Sequence, residues 1–232
     1  MQAPVTARST VPRKTPRGPR TDGEATRARI LSAAGELFAA TGFAETTSKA
    51  IAARAGVDLA SINYHFGSRG GLYQAVLAEA HHRLVSVDDL QRFSDSGASA
   101  PDKLRLLITQ LVERASEQPR GWPLQVLARE FLAPSSHLKP VFEDALRPKF
   151  QAIRRMLGEI AGLPEDDPAI TRCAVSVAAP CLMLLVGGPN VPGPLREIFQ
   201  MPRDAVVAHL HRFALGGLQA IAQARESSVG NS

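Results

Sequence analysis

The amino-acid sequence predicts an all-α protein, and three observations lead to that prediction. Apolar residues recur three and four positions apart through most of the chain, which is the spacing of one face of an α-helix. No segment of useful length alternates between apolar and polar residues, as a half-buried strand would. The 18 glycines and 17 prolines supply breaks between elements. With 232 residues, 44% of them hydrophobic and 21% charged, the chain has the composition of a globular protein.

The first 22 residues predict a disordered basic arm. They contain four prolines and almost no apolar side chain, so they cannot build a core of their own. Five basic residues and one acid give this arm a charge of +4, while the whole chain carries +5. This distribution favours a polyanionic partner, and a solubilising tail is the alternative. The charged residues are Arg8, Arg13, Lys14, Arg17, Arg20 and Asp22.

The segment after the arm predicts four helices. Gly42 follows the first apolar stripe at the place of a C-terminal cap, and Gly56 separates two short stripes. The four are one from about residue 25, two short ones at about 47–55 and 59–65, and a long one from about residue 68.

The remaining two thirds predict further helices joined by polar or proline-rich loops. Pro148 is expected to kink one of them, and Asp167 followed by Pro168 is a favourable start for the most apolar one. The predicted order is a loop at 94–100, helices from about 104 and 122, a long helix at about 142–157, one at 168–186, an irregular connection at 187–202 and a last helix at about 203–222.

The two cysteines predict no disulfide. Cys173 and Cys181 fall in one helical segment, where eight residues of helix rise place them about 12 Å apart. Free thiols and the absence of a visible secretory signal favour a reducing, cytoplasmic compartment. The uncharged run Cys173–Val186 is interrupted by Pro180 and is expected to be too short to span a membrane, so no membrane partner is expected.

Residues 46–66 predict a helix-turn-helix, in which two short helices are joined by a tight turn. Ala52 is small where the helices come close, and Gly56 suits the left-handed backbone of the turn. Aliphatic residues fill the wedge, and the second helix exposes a mixed face that can enter a major groove. An ordinary corner between two packed helices is the alternative. The wedge is Ile51, Val57 and Ile62, and the face is Leu59, Ala60, Ser61, Asn63, Tyr64 and His65.

This segment resembles the DNA-binding domain of TetR-family transcriptional regulators. The resemblance covers about residues 25–75, and the run Ile62–Ser68 is most similar to the CecR-like branch. It implies an N-terminal three-helix helix-turn-helix domain followed by a larger α-helical domain for ligand binding and dimerisation. The residues that carry it are Phe38, Gly42, Phe43, Thr47, Ile51, Ala52, Ala55, Gly56, Val57, Tyr64, His65, Phe66 and Leu72.

The resemblance also implies which residues contact DNA. Hydroxyl groups and free N–H groups at the start of the first motif helix would hold a phosphate. Small and polar residues of the second helix would read bases, and Leu59 would touch a thymine methyl group. The predicted base-reading residues are Leu59, Ala60, Ser61 and Asn63, and the predicted phosphate contacts are Thr47, Ser48, Tyr64, His65 and Arg69.

Four residues depart from the family pattern. Leu59 is apolar where a polar or basic residue is common. Asp58 stands where serine is usual, and as an N-cap it brings a negative charge close to phosphates. Gly70 and Gly71 occupy the first turn of the fourth helix, where the family favours an acidic residue. We therefore expect that helix to lose the capping box of Ser68 and to fray at its start, which would weaken the Arg69 contact.

The C-terminal region predicts a dimer. The resemblance implies pairing through residues 168–186 and 203–222, and the alternative is a fully buried helix in a monomer. The predicted division is a basic arm at 1–22, a DNA-binding domain at 23–68, an effector-binding and dimerisation domain at 69–224 and a flexible tail at 225–232.

A binding site for an apolar or aromatic effector is predicted among large side chains from different helices. Ordinary core packing is the alternative for each of them. Arg129 and Glu130 are further polar groups that could converge on the same place. The predicted set is Trp122, Phe131, His137, Phe142, Arg147, Met156 and Met183.

These observations predict a dimeric, sequence-specific DNA-binding regulator, cytoplasmic and associated with the nucleoid. It would be a repressor that binds a palindromic operator and is released by a small molecule. The alternative is a constitutive DNA-binding protein whose second domain only dimerises. An all-α enzyme is disfavoured because the sequence has no catalytic motif, metal-ligand spacing or cofactor signature.

Overall fold

A computed structural model describes residues 19–229, and it confirms the all-α prediction. Within that range the chain forms α-helices and one π-helical turn, and it contains no strand. The helices are α1 Pro19–Glu45, α2 Ser48–Ala55, α3 Leu59–Phe66, α4 Arg69–Leu84, α5 Val87–Asp95, α6 Ala100–Ser116, α7 Trp122–Leu132, α8 Leu138–Val141, α9 Arg147–Ala161, α10 Pro168–Gly187, α11 Pro194–Gln200 and α12 Arg203–Val229, with the π turn at Phe142–Leu146.

Helix α1 begins inside the predicted arm, and helix α12 ends inside the predicted tail. The arm residues Arg8, Arg13, Lys14 and Arg17 lie outside the described residues, but α1 already begins at Pro19. Proline is tolerated in a first helical turn, and an acid there, Asp22, interacts favourably with the helix dipole. At the other end α12 continues to Val229, because residues 223–226 are good helix formers without a break. Residues 230–232 lie outside the described part.

Helices α1–α4, which we call the head, enclose a core that is completed by Val126 of α7, Val141 of α8 and Leu146 of the π turn. The side chains that meet there are almost completely inaccessible to solvent, so the packing of α2 and α3 against α1 and α4 is fixed by burial. The most buried members are Ile30, Ala34, Phe38, Ile51, Ile62, Leu72, Val76 and Leu77.

Helices α5–α12, which we call the body, form a second core. Residues from α6, α9, α10 and α12 meet in it, and Leu84 at the end of α4 reaches the same cluster. Helix α4 is therefore shared between head and body. The most buried residues of the body core are Leu104, Ile108, Leu157, Ile170 and Leu218.

Helices α5, α8 and α11 were absent from the sequence prediction. Helix α5 has few apolar residues, but a capping box between Ser86 and Asp89 starts it. Helix α11 lies inside the connection predicted to be irregular at 187–202. The predicted kink at Pro148 takes the form of the π turn. Proline has no N–H to donate to the carbonyl four residues earlier. The preceding residue, Arg147, donates its N–H to Phe142 O, which is five residues earlier, as in a π-helix.

The length of helix α10 corrects the expectation that this segment is too short to span a membrane. Its 20 residues are long and apolar enough to cross a membrane by length and composition alone, a test that core helices of soluble proteins also pass. It packs against α6, α7, α9 and α12, yet only 33% of its most apolar stretch is buried. An outer face of α10 is thus left open.

Candidate nucleic-acid interface

The turn between α2 and α3 is built by local hydrogen bonds. Thr47 caps α2 by accepting a hydrogen bond of 3.1 Å from the Ala50 N–H. Gly56 ends α2 with φ 63°, a left-handed value that a residue with a β-carbon adopts only at a cost. The Val57 N–H then donates to Ala52 O at 3.1 Å, which closes the turn. These bonds fix the angle at which α3 leaves the head.

Helix α3 presents the expected face to solvent. Ile62 is fully buried in the head core, so the opposite side of this short helix points outward. Leu59, Ala60 and Asn63 are exposed there, and Tyr64 is exposed over 85% of its surface. No packing within the head requires so exposed an aromatic ring, and a ring with a terminal hydroxyl suits a contact with a nucleic-acid backbone.

The first turn of α3 carries a hydrogen-bonded pair. Asp58 is the N-cap, and its Oδ1 accepts from the Ser61 N–H at 2.7 Å and from the Ser61 hydroxyl at 2.5 Å. These bonds, with the hydroxyl one first, lower the pKa of Asp58 below its ordinary value. The Asp58 carboxyl is therefore ionised at neutral pH.

The predicted phosphate contacts lie along both motif helices. Thr47 is exposed and Ser48 half-buried at the start of α2, where the Thr47 hydroxyl proton is free of its capping role. The Tyr64 and His65 rings stand edge to face with centroids 5.0 Å apart, and His65 lies 6.2 Å from the Phe66 ring. Their contacts with DNA stay predictions.

Arg69 has a structural role that the sequence did not predict. Its Nη1 donates to Thr46 O at 2.8 Å, and its guanidinium lies 4.4 Å from the centre of the Phe43 ring. The side chain is half-buried and ties the start of α4 to the junction of α1 and α2. A carbonyl and an aromatic ring thus already bind part of this guanidinium.

The start of α4 is closed, which corrects the expectation of fraying. Ser68 accepts a hydrogen bond of 3.0 Å from the Gly71 N–H, so half of the capping box is present. A β-carbon at position 71 would lie 2.2 Å from Phe66 O, and one at position 70 would lie 3.0 Å from His137 Cε1. The two glycines allow close approaches that larger residues would prevent.

Helix α7 clamps the head from the body side, a feature that the sequence argument missed. The Trp122 ring fills the space beside Gly35, where a β-carbon would come within 2.5 Å of it. At the other end of α7, the Arg129 guanidinium donates to Ala39 O and Ala40 O, both at 2.8 Å. These carbonyls near the end of α1 are thus bound by a cation ninety positions away.

A buried carboxylate completes this clamp. Glu130, 4% exposed, accepts from the Tyr73 hydroxyl at 2.8 Å and from the N–H and hydroxyl of Ser135 at 2.7 and 2.8 Å. Burial, and then Glu130, raise the pKa of Tyr73. The sequence signal was an acid four residues after the buried Val126, on an otherwise apolar stripe. The His137 ring lies 4.6 Å from the Phe43 ring and extends the contact.

The predicted effector-binding residues do not converge on one site, and this prediction is corrected. They project from different helices in different directions, so each follows its local packing. Trp122 and His137 pack against the head, Phe131 and Met183 are exposed, Phe142 pairs with Phe150 at 5.4 Å, Arg147 forms an exposed ion pair with Glu143, and Met156 packs in the body core.

A large apolar groove lies elsewhere, between α10 and α12. Its volume is about 620 Å³, and it is open to solvent along its length. Cys173, Val177, Phe213, Gly217 and Ile221 line it. This is the open side of α10, on the two helices that were predicted to pair with a second copy.

The fold and the exposed motif define the chain as a helix-turn-helix DNA-binding regulator with a helical second domain. Two family matches agree with that class. Residues 30–76 match "Bacterial regulatory proteins, tetR family", and residues 100–218 match "HTH-type transcriptional dual regulator CecR, C-terminal domain". The second match covers just over half of the chain. The chain belongs to the TetR family and to its CecR-like branch, whose members are transcriptional regulators and not enzymes.

Two curated relatives match about a quarter of the chain. The chain is 41% identical over 63 residues to the HTH-type transcriptional regulator SrpR of Pseudomonas putida, which is 27% of this chain and 30% of that protein. It is 40% identical over 63 residues to the uncharacterized HTH-type transcriptional regulator TtgW, also of Pseudomonas putida, over 27% of this chain and 47% of that protein. The matches span less than half the length of these relatives.

Solved structures match nearly the whole fold. The fatty acid degradation regulator FadR from Bacillus halodurans superposes with a TM-score of 0.64 at 17% identity, over 83% of this chain and 99% of that one. FadR from Bacillus subtilis in complex with stearoyl-CoA gives 0.61 at 16% identity, over 82% and 98%. MbdR from Azoarcus sp. CIB gives 0.57 at 21% identity, over 83% and 98%. At these identities the likeness shows the fold alone.

Proposed function

We propose that this regulator is a homodimeric repressor that binds a palindromic operator and leaves it when a small molecule binds to the body. The observation that carries the proposal is the combination of two unpartnered surfaces on one chain. One is the solvent-facing side of α3 in the head, and the other is the apolar outer side of α10 and α12 in the body.

The α10–α12 face supports a dimer. Phe213 and Ile221 of α12 line the groove and are exposed over 73% and 39% of their surfaces, and α10 carries two further exposed apolar side chains. An apolar patch of this kind marks an interaction surface, and two helices from each of two copies form a four-helix bundle that covers it. Because a two-fold interface uses the same patch twice, a second copy is the simplest occupant. The exposed apolar residues are Val175, Met183, Phe213 and Ile221.

A two-fold dimer implies a palindromic operator. Its two recognition helices would enter successive major grooves, about 34 Å apart along the DNA. The base-reading set remains Leu59, Ala60, Ser61 and Asn63, and the phosphate set is Thr47, Ser48, Tyr64 and His65. We place the domain boundary between residues 68 and 69, where the shared helix α4 begins. Such a protein acts in the cytoplasm, at the nucleoid.

The clamp of α7 offers a route for release by an effector. Helix α7 packs against α1 and α4 of the head and also against α10 of the body. A ligand that shifts α7 relative to α10 would therefore carry Glu130 and Arg129 with it, and with them the head. Release requires the ligand to favour the shifted arrangement over the DNA-bound one.

The effector is proposed to be apolar or aromatic, in agreement with the apolar body. One relative of the same fold is in complex with stearoyl-CoA, so acyl-CoA esters are the first class to test. The second candidate function is constitutive DNA binding with a body that only dimerises. The dispersal of the predicted effector residues favours this alternative, and it predicts that no ligand changes operator affinity.

Binding-site selection from random DNA tests the proposal. We expect an enriched palindrome whose half-sites are about one helical turn apart. The selected operator then serves in a release assay with acyl-CoA esters and aromatic acids. Failure to enrich any sequence would remove the operator proposal, and enrichment without release by any ligand would favour the constitutive protein.

A further inference from the structure

The first turn of the recognition helix α3 has an unusual hydrogen-bonding character. Leu59 and Ala60 have no polar side-chain atom, and both are exposed. Asp58 is ionised, so its carboxylate can only accept hydrogen bonds. The remaining polar side chain of this turn is Ser61, and its hydroxyl proton points at Asp58 Oδ1 over 2.5 Å.

The hydrogen bond that the Ser61 hydroxyl donates to Asp58 determines which hydrogen bonds Ser61 can still form with a base. A hydroxyl group has one proton and two lone pairs. Because the proton is given to Asp58, the Ser61 oxygen presents acceptor sites to any other partner. Among the described residues, both hydrogen bonds of Asp58 go to Ser61 through Oδ1, and the residue is exposed to solvent. The side chains of this turn therefore offer hydrogen-bond acceptors and apolar surface, and no donor.

The negative charge of Asp58 is not needed for capping. Serine, asparagine and aspartate cap helices about equally well, and an anion near DNA phosphates is repelled. Asparagine or serine would thus hold α3 without that repulsion. An ionised carboxylate at this place is favourable if it accepts a hydrogen bond from a donor group of the DNA.

We propose that the Asp58–Ser61 pair selects the operator by accepting a hydrogen bond from an exocyclic amino group in the major groove, with cytosine preferred. Cytosine presents only its N4 amino donor there, whereas adenine presents its N6 amino group beside the N7 acceptor. Guanine presents the two acceptors N7 and O6, which the carboxylate repels. The neighbouring Leu59 suits a thymine methyl group at the adjoining position.

This inference rests on the proposed operator binding, because it assigns a base preference to the same face. Asp58→Asn gives the sharpest test. Asparagine keeps the cap and the side-chain shape, but it adds an amide donor and can bind adenine N6 and N7 together. Wild type should select cytosine at one position of each half-site, and Asp58→Asn should select adenine there. Removing a negative charge also raises affinity for every sequence, so the ratio between the two bases is the readout.

Two further variants separate base reading from charge and from folding. Ser61→Ala removes one acceptor and should relax the preference at the same position. Asp88→Asn removes the same charge from an exposed site on α5, outside the head, and should leave every base preference unchanged. Helicity by circular dichroism confirms that each variant is folded.

The measurement is competitive binding of wild type and variants to the selected operator and to operators with each base at the position concerned. Wild type should lose about tenfold in affinity when cytosine is replaced by guanine or thymine. A selected operator whose base preferences are the same in wild type, Asp58→Asn and Ser61→Ala overturns the inference and leaves the proposed function standing. The absence of any selected sequence for wild type overturns both.

Discussion

The head and the middle of the body reach their shapes by different means. In the head, α2, α3 and α4 each begin with a side-chain cap, at Thr47, Asp58 and Ser68. In the body, α7, α8 and α9 begin without one, and a π turn separates the last two. The starts of α2, α3 and α4 are therefore set by residues three positions apart, while the packing of these helices depends on the buried core. The helices of segment 121–161 lack such caps and depend on contacts with other helices, and this is the segment on which the proposed effector would act.

The largest expected effect concerns the open face of the body. Phe213→Glu places a charge in the proposed interface without touching the monomer core, because Phe213 is 73% exposed. We expect monomers at micromolar concentration by sedimentation and a loss of operator affinity of at least about a hundredfold, since each head then binds one half-site alone.

Leu132→Glu is the matched control for that experiment. Leu132 is equally exposed, at 73%, but lies at the end of α7 outside the α10–α12 face. It should leave the dimer intact. Leu184→Glu is unsuitable, because Leu184 is buried in the body core and its loss would unfold the monomer. Dimers of Phe213→Glu with native affinity would place the interface elsewhere.

The second effect tests whether the shared helix α4 depends on its neutral histidine. Burial, and then Lys149, lower the pKa of His81 to about 4 from its ordinary 6.5. As the pH falls, His81 takes up a proton in the unfolded chain before it does so in the folded protein. Its contribution to the free energy of unfolding is therefore present above pH 6.5 and is lost between pH 6.5 and about 4. Urea unfolding at fixed protein concentration should show that the free energy of unfolding falls by roughly 2 kcal/mol between about pH 7 and about pH 5 because of this group.

His81→Gln should remove that component of the pH dependence. His82→Gln, which changes the exposed neighbour, is the control and should keep it. Equal pH slopes in all three proteins would show that His81 does not limit stability in acid.

The third effect concerns the contact between head and body. Gly35→Ala would place a β-carbon 2.5 Å from the Trp122 ring, and overpacking of this kind costs about 1–3 kcal/mol. Gly23→Ala, on the same helix, meets no atom within 4 Å and should stabilise the protein by up to about 1 kcal/mol. Denaturant unfolding of both variants checks the pair, and equal stabilities would mean that the tryptophan moves aside freely.

The smallest effect is expected at the reading face. Tyr64→Ala should lower operator affinity severalfold, by about 1 kcal/mol, and evenly across sequences, because a phosphate contact carries no base preference. Tyr64→Phe separates the hydroxyl from the ring. Stability should not change in either variant, since the side chain is 85% exposed. A change in base preference with Tyr64→Ala would reassign this residue to base reading.

The same contrast explains how far the sequence could predict the structure. The α2–α3 turn was predictable because Thr47 and Gly56 act on backbone groups within five residues of themselves. The structural role of Arg69 was missed because its partner, Thr46 O, is 23 positions earlier in the chain. Gly71 was predicted to weaken the start of α4, whereas the close approach of the Phe66 carbonyl leaves no room for a β-carbon there, and no local pattern reveals that approach.

The prediction of the effector-binding residues failed for a related reason. Trp122 and Phe131 were grouped because they are large and apolar, yet one packs against the head and the other faces solvent. Helical periodicity identifies which residues face a neighbour, but it does not say which neighbour. That information depends on how the helices pack together in three dimensions.

The Arg129 clamp has a consequence for exchanging parts between regulators. The carbonyls of Ala39 and Ala40 and the space beside Gly35 are matched by Arg129 and Trp122, which belong to α7. A chimera that joins α1–α3 of this protein to a foreign regulator at the α3–α4 boundary would leave these groups to whatever residues the new partner segment supplies. A functional hybrid therefore requires the transplanted segment to include α7, or a recipient helix with an arginine and a large aromatic residue at the same separation.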